Sequence, residues 1–176
     1  MRPPFIIYDK ILSPESINVN IFKINFTKLD HGLKYPPFDV RLKKQGGQTY
    51  IFDFIRKKWL VLTPEEWVRQ HVLNYLVVEK KFSASSIAVE KELLLNDLKK
   101  RYDIVVYKRD LSPYLIIECK APYVDLSPSV VEQALRYNLI VKAELLMISN
   151  GISELVFNSS REPAEIPLQS SDPAHH

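Results

Sequence analysis

Cysteine is almost missing: Cys119 is the single one in 176 residues. That excludes an internal disulfide, and with it the small cross-linked folds of oxidising compartments. Long apolar runs are missing as well. No stretch approaches the roughly 20 apolar residues of a membrane span. The opening Phe5-Ile6-Ile7-Tyr8 is cut off by Asp9 and Lys10, too soon for the apolar segment of a signal peptide. A cytoplasmic protein with no membrane partner is the expectation. Charge of one sign is also lacking, since 24 Lys and Arg stand against 21 Asp and Glu, leaving +3. Such a balance permits a nucleic-acid partner without arguing for one. Glycine is scarce, at 4, and no Gly-x-x-x-x-Gly-Lys-Ser/Thr loop occurs, so a P-loop motor cannot come from this chain. A lone cysteine and scattered histidines give no zinc spacing, which speaks against a zinc hydrolase.

What is present suits one globular domain: 46% hydrophobic and 26% charged residues. Residues 1–35 read as an N-terminal extension with a short strand at Asn20–Phe26, and Pro36-Pro37 closes it. Residues 36–158 read as the domain. From Ser159 to 176 the Ser-, Pro- and Glu-rich composition predicts a disordered tail. Basic residues cluster at Arg41-Lys43-Lys44, Arg56-Lys57-Lys58, Lys99-Lys100-Arg101 and Lys108-Arg109. Each cluster is able to meet phosphates, or to be an ordinary solvated turn.

Within the domain, Val40–Lys44 and Thr49–Leu62 read as a hairpin turning at Gln45-Gly46-Gly47-Gln48. Thr63-Pro64-Glu65-Glu66 opens a helix that runs to about Lys80: Thr63 caps, Pro64 suits the first turn and Glu66 completes a capping box. Strands follow at Ile87–Leu95, Tyr102–Lys108 and Tyr114–Cys119. A second helix spans Ser127 to about Val141, and strands at Ala143–Ser149 and Ile152–Phe157 end the domain. A helix before and after a strand meander makes an α/β sandwich with a mixed central sheet flanked by helices.

Chemistry concentrates in the hairpin formed by the strands at Tyr102–Lys108 and Tyr114–Cys119. If its turn centres between Asp110 and Leu111, Asp103 falls opposite Glu118, with Cβ atoms roughly 4.5–5.5 Å apart. Both strands are otherwise apolar, so two facing carboxylates repel and lose hydration. A divalent cation reverses the sign of that interaction, and hard oxygen ligands suit Mg²⁺, with Mn²⁺ as a substitute. Lys120, two residues past Glu118, shares its face and stands ready to orient a water or offset charge on an attacked phosphate. Cys119 points the other way and reads as a small buried hydrophobe. An exposed ion pair between Lys120 and either acid is the plainer reading of the same three residues.

Three segments extend the pattern: Arg101-Tyr102-Asp103-Ile104-Val105-Val106-Tyr107, then Leu115-Ile116-Ile117-Glu118-Cys119-Lys120-Ala121-Pro122, then Gln133-Ala134-Leu135-Arg136-Tyr137-Asn138. Together with Thr63-Pro64-Glu65-Glu66-Trp67-Val68-Arg69-Gln70 and Ser149-Asn150-Gly151, the chain resembles the N-terminal nuclease domain of type I restriction enzyme R subunits over roughly residues 40–157. The resemblance implies a PD-(D/E)XK restriction-endonuclease-like sandwich that hydrolyses DNA phosphodiester bonds. It implies Asp103 and Glu118 as metal ligands, helped by the Cys119 carbonyl, and Lys120 as the catalytic lysine. Gln133 and Tyr137 match its Gln-x-x-x-Tyr motif, four apart on one helix face. A further carboxylate from the first helix is expected to be Glu66, with Glu65 next and Glu90 on the following strand as another acid. His71 reads as a packed, hydrogen-bonded histidine. Tyr102 replaces the proline that gives the fold its name, and the helicase motor of such subunits is lacking. DNA is the expected partner, with a homodimer or other restriction-system subunits needed for double-strand cleavage. The rival reading is a non-catalytic nuclease-like module that binds nucleic acid or a partner protein.

Overall fold

A computed structural model describes residues 32–95 and 98–169. The strand expected at Asn20–Phe26 lies outside the described residues. Among the described residues, eight strands and two α-helices follow in the order β1 (Leu42–Gln45), β2 (Gln48–Asp53), β3 (Lys58–Val61), α1 (Pro64–Asn74), β4 (Ile87–Leu95), β5 (Leu98–Tyr107), β6 (Pro113–Cys119), α2 (Pro128–Val141), β7 (Leu145–Ser149) and β8 (Glu154–Asn158). The strands make two sheets. One is the antiparallel sheet β1-β2-β3, and the other is the mixed sheet β4-β5-β6-β7-β8, in which only β6 and β7 run parallel. The parallel pair follows from α2, which carries the chain back to the start of the sheet.

The small sheet departs from the sequence expectation of one long second strand. Asp53 Oδ1 accepts the Arg56 backbone N–H at 2.7 Å, and Lys57 sits at φ 53. The chain therefore reverses at 54–57, and Tyr50–Asp53 pair with Lys58–Val61. A buried aspartate that binds the backbone three residues on is a turn former, and it overrides the alternation of apolar residues.

Helix α1 begins as expected, with Thr63 Oγ1 accepting from the Glu66 N–H at 3.0 Å. The reciprocal half of a capping box is not made, because the Glu66 carboxylate turns inward. Past Asn74 the helix widens into a π-helical turn, Tyr75–Glu79. Val68, Val72, Leu73 and Leu76 are buried against Ile104, Val106, Leu115, Ile117 and Met147. Residues of α2 pack with Val105, Ile116, Leu146 and Ile148 in a second cluster. Two cores of this kind are what a sheet buried on both faces requires.

The ends of the domain are tied in. Tyr35 is 5% exposed, and its hydroxyl bonds Ser149 Oγ at 2.6 Å and Glu154 Oε2 at 2.8 Å. Gly151, at φ 84, accepts from the Lys34 N–H at 2.8 Å, and a Cβ there would stand 2.5 Å from Leu33. The tail expected to be disordered from Ser159 is docked as far as Gln169: Ile166 is 4% exposed, and the Gln169 N–H donates to the Lys80 carbonyl at 2.9 Å. Burial of Ile166 and Ala164 on the first core outweighs the polar composition around them. Residues 170–176 lie outside the described residues.

Candidate active site

The β5–β6 ladder pairs Ile104 with Ile117, Val105 with Ile116 and Val106 with Leu115. At this end the ladder stops at Ile104 and Ile117, one residue short of Asp103 and Glu118, and these pairs keep the register that the sequence arithmetic requires. The hairpin reaches that register by a different route at its far end. There the ladder slips by one between Val106 and Tyr107, and Leu111 takes φ 65 in the turn. The Asp103 carboxylate crosses to β6, where its Oδ2 accepts the Cys119 backbone N–H at 2.7 Å. The acid thus lies against the Glu118–Cys119 peptide, with Lys120 the next residue along.

The other oxygen of Asp103 is held by a group that sequence reading did not single out. Arg69 Nη2 donates to Asp103 Oδ1 at 2.9 Å and to Glu65 Oε1 at 3.1 Å, while Nη1 donates to Glu66 Oε2. Residues 65, 66 and 69 stand on the first two turns of α1, so i,i+3 and i,i+4 spacing gathers both glutamates around one guanidinium. Arg69 thereby sets a protein cation against Asp103, where sequence reading expects a divalent ion or Lys120.

Behind this pair lies a second. Arg56, from the β2–β3 turn, donates Nε to Asp53 at 2.6 Å, Nη1 to Glu90 at 2.5 Å and Nη2 to Glu66 at 3.2 Å. Gln70 Nε2 bridges Asp53 at 3.0 Å and Glu66 at 2.8 Å. Glu90 sits at φ 51, out of the ladder between the pairs Val89–Ile104 and Lys91–Tyr102, opposite Asp103. A glutamate in the left-handed region is strained by roughly 1–3 kcal/mol, and its two arginine neighbours hold it there.

The candidate residues therefore separate. Asp103, Glu118 and Lys120 lie near enough to Glu65 of α1 for their charges to act on it. Glu66, the first choice for the helix carboxylate, is 6% exposed and consumed by Arg69, Arg56 and Gln70. Glu65 is the half-exposed acid of the pair. Its pKa is raised by burial and by the charge of Asp103, with Arg69 and Lys120 pulling against that and Glu118 adding to it. Arg69 keeps its proton beyond the ordinary value: burial opposes the charge, but Asp103 and Glu66 outweigh it. Cys119 is buried, and burial followed by Asp103 drives its thiol well above the usual value, so it is not a nucleophile. Gln133 is exposed on α2, four residues before Tyr137, whose side chain lies outside the described residues. His71 is packed as expected, with Nδ1 against the Trp67 carbonyl at 2.9 Å and its ring edge-on to Trp67 and Phe38.

Five carboxylates (Asp53, Glu65, Glu66, Glu90 and Asp103) surround the two guanidiniums, and the acid is in surplus. Among the described residues, no three acidic, histidine or cysteine side chains form a cage for a metal ion. Mg²⁺ needs no cage, because one or two carboxylates and several waters satisfy it. Asp103 and Glu65, gathered on the one guanidinium of Arg69, offer carboxylate oxygens of that kind. Among the described residues Lys120 forms no ion pair within 4 Å, which leaves its ammonium available at the rim.

Residues 64–169 match the family described as type I restriction enzyme R protein N terminus. No curated protein matches the chain. A solved structure described as a fragment of an HsdR subunit of a type I restriction enzyme from Vibrio vulnificus YJ016 is similar at 18% identity and a TM-score of 0.45. The similarity covers 58% of this chain and 22% of that one, so this chain spans under a quarter of its length.

Proposed function

The chain belongs to the type I restriction enzyme R protein N-terminus family, and on that premise we propose that it is a Mg²⁺-dependent endonuclease of the PD-(D/E)XK type, hydrolysing DNA phosphodiester bonds. The observation that carries the reading is the reach of Asp103 across to the Cys119 N–H at 2.7 Å, which brings one acid against the strand that bears Glu118 and Lys120. A bound Mg²⁺ supplies a more acidic water and a Lewis acid for the phosphate. Asp103 and Glu118 would hold it, with Glu65 as the helix acid. Arg69 keeps the Asp103 carboxylate aimed and leaves lone pairs on each oxygen for a further partner. Lys120 orients the attacking water and offsets charge as it builds on the phosphate. Gln133 and Tyr137, on the α2 face, are proposed to hold the DNA backbone near this end of the sheet. Paired subunits, or partners from a restriction system, would supply the second cut of a duplex.

A second reading has its own support. The ion pair between Arg69 and Asp103 already satisfies a charge that a metal would otherwise satisfy, as in a nuclease-like module that binds without cutting. Plasmid nicking with Mg²⁺ or Mn²⁺ separates the two. Wild type is expected to nick, and Lys120→Ala to lose at least about 100-fold of the rate, within the range for loss of a general acid–base or charge-stabilising group. Equal nicking by both would remove Lys120 from the reaction, and nicking by neither would favour the binding module.

A further inference from the structure

The basic clusters around Arg41, Arg56 and Lys108 have different fates in the fold. Arg56 is consumed by Asp53, Glu66 and Glu90, and Lys108 is paired with Glu144. Arg41 and Lys43 are held otherwise. Lys43 stands on β1 and Arg41 just precedes it, bound to β2 through its carbonyl, so the two lie about 6.7 Å apart along the extended chain. The Arg41 guanidinium lies 4.0 Å from the centre of the Phe52 ring and 5.7 Å from that of Trp59. The Lys43 ammonium lies 4.9 Å from Trp59 and 5.4 Å from Tyr50. Strand register makes this a continuous array: Lys43 pairs with Tyr50, Phe52 pairs with Trp59, and the Phe52 N–H donates to the Arg41 carbonyl at 2.9 Å. The opposite face carries Leu42, Ile51 and Leu60, with Ile51 at 1% exposure, so the array is the outer face. Among the described residues, neither Arg41 nor Lys43 forms an ion pair within 4 Å.

Two long cations parked over aromatic rings have lost much of their rotamer freedom before any ligand arrives, which lowers the cost of binding. Because the ring faces are covered by the protein's own cations, the surface offers positive charge rather than stacking platforms. Single-strand binders depend on stacked bases. A duplex, by contrast, presents phosphates and keeps its bases stacked inside. The other end of the sheet is anchored to the acid cluster through Arg56, so the array and the Asp103 end of the large sheet are held together.

We infer that the outer face of β1–β3, through Arg41 and Lys43 held over Phe52, Trp59 and Tyr50, grips the phosphate backbone of the duplex DNA that the proposed catalytic centre cuts. This rests on the nuclease reading for its substrate, but binding is measurable without cleavage. The test is fluorescence anisotropy of a labelled duplex titrated with the full chain in EDTA. Arg41→Ala with Lys43→Ala is expected to weaken binding at least about tenfold at moderate salt. It should also flatten the dependence of log K on log salt by roughly 2, about 0.9 for each lost phosphate contact. Trp59→Leu, which removes a ring but no charge, should weaken binding with the slope kept. Arg109→Ala removes a charge from the exposed β5–β6 turn and should change neither quantity. Wild-type affinity in the double variant with an unaltered circular dichroism spectrum overturns the inference, as does an equal effect from Arg109→Ala. Tighter binding of a single-stranded oligonucleotide with quenched Trp59 fluorescence also overturns it, in favour of stacking. Nicking by wild type alongside a double variant of wild-type affinity sinks this inference alone. Absent nicking with the predicted loss of affinity sinks the catalytic reading alone.

Discussion

At the scale of single residues the molecule turns on Arg69. It is buried, and its Nη1 and Nη2 groups are spread over Glu65, Glu66 and Asp103. Removing one partner of a buried ion pair leaves uncompensated charge behind, at a cost of about 3–5 kcal/mol. Arg69→Ala is therefore expected to lower the urea-unfolding free energy by about that amount, whereas Arg69→Lys should recover only part of it. A lysine ammonium keeps the charge but cannot serve three carboxylates as a planar fork does. A change below about 1 kcal/mol in Arg69→Ala would show that the carboxylates are hydrated and the network is not a structural tie. Arg69 was within reach of sequence reading, because Glu65, Glu66 and Arg69 form i,i+4 and i,i+3 pairs. What sequence could not supply was the third partner, Asp103, which is 34 residues away.

Among the elements, the β2–β3 turn decides most. Sequence alternation from Tyr50 to Leu62 suggests one strand, but Asp53 breaks it. Its carboxylate is fully buried, holding the Arg56 backbone and Nε and accepting from Gln70. Asp53→Ala strands the Arg56 guanidinium and frees the turn, and a loss of about 3 kcal/mol is expected in chemical denaturation. Asp53→Asn, which keeps an acceptor for the backbone N–H, should lose less. Equal losses in the two variants would show that the turn does not depend on the hydrogen bond. Several other elements were legible to within a residue or two, whereas β5 starts at Leu98, four residues before the expected Tyr102, and α1 gives way to the π-helical turn after Asn74. β4 spans Ile87–Leu95 as predicted, and α2 runs from Pro128 after Ser127 to Val141. Both carry local marks, a strand bounded by polar residues and a proline at a helix start, and nothing distant overrides them.

For the whole molecule, the ends hold the middle. Tyr35 spans more than a hundred residues to reach Ser149 and Glu154, and Ile166 returns to the core that α1 covers. Burial, and then Glu154, raise the Tyr35 pKa above its ordinary 10.0. The folded state therefore keeps a proton that the unfolded chain releases near pH 10. Stability is fully present below that pH and falls as pH rises through it. Tyr35→Phe is expected to cost about 1 kcal/mol at neutral pH. It should then lose less than wild type between about pH 9 and 11, as followed by thermal melts across that range. Parallel losses in both proteins would show that Tyr35 is not the group that titrates. Among the described residues no helix is long and apolar enough to cross a membrane.

The sequence by itself determined the central register of the β5–β6 hairpin and the limits of β4 and α2, because strand alternation, caps and turn residues act over a few positions. It therefore also determined that Ile104 pairs with Ile117, the residues next to Asp103 and Glu118. Only the tertiary structure decided which helix glutamate is the more exposed, which arginine counters the acids, where the small sheet folds back and how the segments around Tyr35 and Ile166 pack. Each of those outcomes depends on burial and on charges brought together from distant segments, and neither is written in the spacing of neighbouring residues.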